Sequence, residues 1–184
     1  GYTEQAAAVT IDAALTVTDP DNTNLASATV TISGGFQTGD VLAATVTGTG
    51  ITAVYNAGTH VLTLSGSDTL AHYQQVLDSV TFANTTNDNP TNFGANPTRT
   101  ISWVANDGTA DSNTGSTTIN VTAVNDAPVI AGAGNTTGYT EQAAAVTIDA
   151  GLTASDVDNQ NLASAKVSIG NFFAGDQLSA DTTG

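Results

Sequence analysis

The chain has 184 residues, and its 17 acidic residues against two strong bases give a net charge of −15 at pH 7. Such a surface repels nucleic acid and anionic membranes and attracts cations. The chain has no cysteine, which excludes disulfides and any site built on a thiolate. No apolar run is long enough to span a membrane, so the sequence predicts no membrane insertion. Its acidic charge predicts no nucleic-acid binding.

Short runs of alternating apolar and polar residues, rich in Val, Ile and Thr, predict an all-β chain. We expect strands near residues 7–12, 14–18, 25–33, 41–47, 51–56, 60–65, 79–84, 99–106 and 112–123. One helix is expected among them, where apolar residues at i, i+3 and i+7 follow a potential cap at Ser67 or Asp68. Trp103 lies mid-strand on the same face as Ile101 and is expected in the core. Many short strands separated by turn signals favour an antiparallel two-sheet sandwich.

The sequence repeats itself with an offset of 137 residues. Residues 1–12 return letter for letter as residues 138–149, and the match continues to Ile32 and Ile169 with only seven differences. A tandem array indicates a long, modular protein with a mechanical or binding role, and it argues against a single catalytic centre.

The boundary between the repeats is predicted in the segment 124–130, where Pro128 prevents the preceding strand from pairing further. We therefore expect a first repeat over residues 1–126, whose N-terminal strand segment is missing. A truncated second repeat is expected over residues 127–184.

Acidic residues recur at corresponding places in the two repeats, because Asp19-Pro20-Asp21 returns as Asp156-Val157-Asp158. Two carboxylates at i and i+2 in a loop can face one point, and oxygen donors suit Ca²⁺. The alternative is that these side chains only bond to their own backbone, as Asp does in many loops. In a sandwich, this loop and the turn that contains Asp107 reach the same end. The sequence thus predicts that Asp19, Asp21 and Asp107 converge.

Four motifs combine within one period, namely Thr3-Glu4-Gln5-Ala6, Asp19-Pro20-Asp21, Ala105-Asn106-Asp107-Gly108 and Val124-Asn125-Asp126-Ala127-Pro128-Val129. Together they resemble the glutamate, Asp-x-Asp, Ala-x-Asp-x-Gly and linker motifs of cadherin repeats, specifically the cadherin-like repeats of giant bacterial (RTX-type) surface adhesins. Residues 73–90 with residues 99–101 resemble a pattern shared by those adhesins and proteoglycan-type repeats. The cadherin Asp-Arg-Glu tripeptide is absent, and Asp88 is the candidate for its place.

The resemblance implies an immunoglobulin/cadherin-like antiparallel β-sandwich in each repeat, with one short helix per repeat and with junctions stiffened by Ca²⁺. The ligands that it implies for the junction inside this chain are Glu4, Asn125, Asp126, Asp156 and Asp158. It further implies that Asp19, Asp21 and Asp107 serve the preceding junction.

The function implied is a calcium-stiffened structural or adhesive repeat of a secreted bacterial surface protein, acting as an extender. Its expected partners are neighbouring repeats, other copies of itself and an unidentified surface ligand. One alternative is a subunit of a self-assembling extracellular filament or surface layer, because a truncated repeat leaves open strand edges. Another is a carbohydrate-binding module. We expect no enzymatic activity, since His60 and His72 lack a spaced acid and nucleophile, and Asp40 and Asp176 are interpreted as turn residues.

Overall fold

The computed structural model describes residues 1–182, whose regular secondary structure is mostly β-strand with one short helix. This composition confirms the all-β prediction. The chain divides into two units, Gly1–Ala127 and Pro128–Gly184.

The first unit contains two sheets and the helix. Its elements are β1 (Tyr2–Thr3), β2 (Val9–Thr10), β3 (Asn24–Gly34), β4 (Val41–Ala43), β5 (Thr52–Asn56), β6 (Val61–Thr69), α1 (Leu70–Asp78), β7 (Thr81–Ala83), β8 (Thr98–Asn106) and β9 (Gly115–Thr122). One sheet has six strands in the order β1-β9-β8-β3-β6-β5, and the other has three in the order β2-β7-β4. Only β1 and β9 pair in parallel; all other neighbours in these two sheets are antiparallel.

The core of the first unit is one cluster of buried side chains drawn from both sheets and from the helix. Strand β3 lies between β6 and β8, and its inward residues Val30 and Ile32 are buried in this cluster. The rings of Tyr2 and Phe82 meet edge to face, with centroids 5.2 Å apart. Trp103 is buried, as the alternation along its strand predicts.

The strand predicted over residues 14–18 is wrong. This segment has no strand partner, and a side chain of the helix holds it instead. The amide of Gln74 accepts a hydrogen bond from Val17 N at 2.9 Å and donates one to Leu15 O. A side-chain amide can satisfy the backbone as a neighbouring strand would, so alternation alone does not make this segment a strand.

The predicted helix cap at Ser67 or Asp68 is also wrong, because β6 continues through both residues to Thr69. Thr69 is the N-cap, and its hydroxyl oxygen accepts from His72 N at 3.2 Å. Asp68 instead lies 2.7 Å from the imidazole Nδ1 of His72. Several other strands are shorter than predicted, notably β2, β4 and β7.

A buried ion pair fixes the loop between β7 and β8. The guanidinium of Arg99 and the carboxylate of Asp40 are both fully buried and lie 2.5 Å apart. Asp40 also accepts a hydrogen bond from Gln37 N at 2.8 Å, so it is a turn residue, as the sequence predicts. The ion pair with Arg99 is a further role that the sequence analysis does not predict. Asn84 donates to Asp40 at 2.8 Å, and Arg99 donates to Pro90 O at 2.6 Å.

The second unit has a two-stranded antiparallel sheet of β10 (Val129–Ala131) and β11 (Thr153–Ser155). None of its described residues is buried, although its counterparts in the first unit include core residues. Its exposed apolar side chains include Val146, Ile148, Leu152, Leu162, Val167, Ile169, Phe172 and Phe173.

Some local turns of the first unit recur in the second unit, whereas the two sheets of the first unit do not. The hydroxyl of Tyr139 donates to Ala143 O at 3.0 Å, as that of Tyr2 donates to Ala6 O at 3.2 Å. The repeated sequence therefore encodes its turns locally, whereas its strands depend on partners distant in the sequence.

Candidate metal centre

Glu4 is the buried acid of the first unit's N-terminal turn. Its backbone N donates to Thr122 O at 2.9 Å, which continues the parallel pairing of β1 with β9. The side chain is only 4% exposed, and its Oε2 accepts from Val124 N at 2.7 Å. Glu4 thus ties the first residues of the unit to the segment that follows its last strand.

Three carboxylates from distant parts of the first unit meet around Glu4. Glu4, Asp88 and Asp126 each offer a carboxylate oxygen, and these oxygens lie within 4.8 Å of one another. Glu4 is buried, Asp126 is half-buried and Asp88 is exposed. The loop that carries Asp88 is anchored nearby, because the buried hydroxyl of Tyr2 donates to Asn84 O at 2.7 Å.

The chemistry of this group suits a hard divalent cation. Carboxylate oxygens are the preferred ligands of Ca²⁺, which accepts them in flexible geometry. The first unit contains one strong base, Arg99, and its guanidinium is engaged with Asp40. No lysine or arginine of that unit is therefore available to neutralise the three acids, and a bound cation would do so.

A second acidic cluster lies in the loop after residue 18. Asp19 Oδ1 accepts from the backbone N of Asn22 at 2.9 Å and of Asp21 at 3.1 Å. The amide of Asn22 also donates to Asp107 Oδ2 at 2.9 Å. Asp19, Asp21 and Asp107 line one open cavity of about 250 Å³. The structure thus brings these three predicted residues to one place.

Hydrogen bonding separates the acidities of the two aspartates in this loop. The backbone N–H groups of Asn22 and Asp21 lower the pKa of Asp19, because they stabilise its charged form. The hydrogen bond to Asp19, together with its negative charge, raises the pKa of Asp21. The pKa values of the two carboxyl groups therefore lie on opposite sides of the ordinary aspartate value.

The remaining predicted ligands lie in two segments. Asn125 donates its side-chain amide to the backbone oxygen of Asp126 at 2.7 Å. In the second unit, Asp156 Oδ1 accepts from Asp158 N at 3.2 Å and from Asn159 N at 2.9 Å, which repeats the turn at Asp19. The side-chain hydrogen bond with Asp158 is the largest cause of a lowered pKa at Asp156.

Asp88 was not among the predicted metal ligands, yet the structure places it beside Glu4 and Asp126. Its only sequence signal was its position as the candidate replacement for the missing cadherin tripeptide. Nothing local marks Asp88 apart from other acids, because its approach to Glu4 depends on the tertiary fold.

The fold and the acidic group define the first unit as an all-β domain with a candidate cation centre. No family model, curated protein or solved structure matches the chain. Within residues 1–182, no helix is long and apolar enough to cross a membrane.

Proposed function

We propose that the chain is a calcium-binding structural repeat of the cadherin-like type, part of an exported bacterial surface adhesin in which it acts as an extender. In this proposal the two sheets of the first unit are the layers of an immunoglobulin/cadherin-like sandwich. The observation that carries the proposal is the meeting of Glu4, Asp88 and Asp126, whose carboxylate oxygens lie within 4.8 Å of one another.

Electrostatics supports a bound cation at this place. Two unit negative charges held 4.8 Å apart, the upper limit within this group, repel by roughly 3.5 kcal/mol at an effective dielectric constant of 20. Both groups are at least partly withdrawn from water, which weakens solvent screening. A divalent ion replaces this repulsion with attraction to each carboxylate.

The position of the group explains how an ion would stiffen the protein. Glu4 follows the first strand of the unit, whereas Asp126 is the penultimate residue of the unit. An ion held by both would fix the segment after β9 against the N-terminal turn. The ion would add to the hydrogen bond from Val124 N to Glu4 Oε2, which already joins these two segments.

We propose the cluster of Asp19, Asp21 and Asp107 as a second cation position of the same repeat. Its support is the shared cavity and the hydrogen bond that links Asn22 to Asp107. Asp156 and Asp158 are the counterparts of Asp19 and Asp21 in the second repeat and form the same turn.

Calorimetric titration of calcium into the full chain tests the proposal. We expect binding with a Kd of about 10⁻⁴–10⁻³ M, the range of extracellular calcium modules. Asp88→Asn should weaken it, because an amide carries no charge; Asp88 is exposed, so the fold should persist. The matched control is Asp176→Asn, because Asp176 is also exposed and lies outside the proposed cation sites. Calcium binding that is absent, or equal in the two variants, contradicts the proposal.

Self-assembly is the second candidate function. The exposed apolar side chains of the second unit, among them Val167, Phe172 and Phe173, favour association with another surface. Sedimentation velocity over a range of concentrations, with and without chelator, separates an extender from a filament subunit. A carbohydrate-binding module finds less support, because the single tryptophan, Trp103, is buried and offers no platform.

A further inference from the structure

Gln5 adopts a backbone conformation that side-chain-bearing residues rarely take. Its φ is 57°, and its counterpart Gln142 has a φ of 62°. Left-handed backbone at a residue other than glycine costs free energy, and such outliers cluster at functional sites. Both repeats in this chain carry glutamine at this position rather than glycine, which directs attention to what the side chain does.

The side chain of Gln5 reaches an acid of the candidate metal centre. Its Nε2 donates to Asp88 Oδ1 at 2.6 Å, although the two residues are 83 positions apart. The turn around Gln5 is closed by a hydrogen bond from Ala6 N to Thr3 O at 3.0 Å. In this turn, Glu4 is buried within the acidic group. The next residue, Gln5, forms a hydrogen bond with Asp88, the exposed member of that group.

We propose that Gln5 is a positioning residue that holds Asp88 in place for a divalent cation, an inference that rests on the proposed calcium site. A neutral amide can orient a carboxylate without cancelling its charge, and residues that orient metal ligands typically affect affinity strongly. A lysine at the same place would supply a positive charge itself and would compete with the ion. The neutrality of Gln5 is thus as important to the role as its hydrogen bond.

Two substitutions separate this role from a purely structural one. Gln5→Met keeps the length of the side chain and the left-handed backbone but removes the donor. Gln5→Lys keeps a donor and adds a charge. Gln142→Met and Gln142→Lys are matched controls, because Gln142 has the same backbone conformation beside an exposed glutamate, Glu141.

Calcium calorimetry and thermal melting of the full chain give the readouts. Gln5→Met should weaken calcium binding about tenfold or more. Gln5→Lys should abolish binding at the group of Glu4, Asp88 and Asp126, leave the second cation position intact, and raise the melting temperature in chelator above that of the wild type. The Gln142 variants should bind calcium and melt as the wild type does. A Gln5→Met variant with wild-type calcium affinity overturns the inference.

A wild-type chain that binds no calcium would contradict the proposed function, and melting in chelator then tests Gln5 separately. In that case Gln5→Lys melting above the wild type and Gln5→Met melting below it supports a role in holding Asp88. If both melt with their Gln142 controls, the positioning role is wrong as well.

Discussion

The buried ion pair of Arg99 and Asp40 gives the sharpest prediction for stability. Both side chains are fully buried, so Asp40→Asn leaves the guanidinium of Arg99 without its counter-charge in the core. Removing one partner of a buried pair costs about 3–5 kcal/mol. For a unit of this size, that loss lowers the melting temperature by roughly 10–20 °C. The fluorescence of Trp103, the only tryptophan and a core residue of the first unit, reports its unfolding in heat or denaturant.

The chain provides its own control for this substitution. Asp176 is in the corresponding turn of the second repeat, where its Oδ2 accepts from Phe173 N at 2.9 Å, as Asp40 accepts from Gln37 N. Asp176 is exposed, so Asp176→Asn should change the free energy of unfolding by no more than about 0.5 kcal/mol. If Asp40→Asn lowers the free energy of unfolding by less than about 1 kcal/mol, the substitution does not leave Arg99 as an uncompensated buried charge, and this reasoning is wrong.

Two further predictions concern titration and amide exchange. In carboxyl carbon NMR, Asp21 should titrate above the ordinary pKa of 3.8 and Asp19 below it. Asp19 therefore contributes stability that is lost as the pH falls through its folded pKa. Asp21 acts in the opposite sense, because its raised pKa means that the folded state gains stability when Asp21 is protonated. Equal pKa values would refute the hydrogen bonding described for this loop. In hydrogen exchange, the amide of Val30 should be protected and that of Val167 should exchange rapidly, because only the first lies in a paired strand of a sheet core. Similar protection at both would contradict the exposed second unit.

Strands whose alternation is matched by burial could be predicted from the sequence. Strand β3 was expected over residues 25–33 and spans Asn24–Gly34, and β8 was expected over 99–106 and spans Thr98–Asn106. Segment 14–18 has the same composition but is held by the helix side chain of Gln74, which no local pattern reveals. Local alternation predicts the capacity to form a strand, and the tertiary fold decides whether a partner is present.

The buried position of Arg99 has a signal in the sequence. Arg99 alternates with Ile101 and Trp103 along one strand, so its side chain points toward the core. A charged residue at an inward position needs a buried partner, and Asp40 supplies it. Asp88 had no comparable signal, because its distance to Glu4 depends on how the loop between β7 and β8 folds back on the N-terminal turn.

The most direct test of the calcium proposal is anomalous diffraction from crystals of the chain grown with calcium. We expect an anomalous peak about 2.3–2.6 Å from carboxylate oxygens of Glu4, Asp88 and Asp126, the ordinary range for calcium ligands. No peak at this group at millimolar calcium, roughly the upper affinity limit of extracellular modules, or a peak only elsewhere on the surface, would contradict the account.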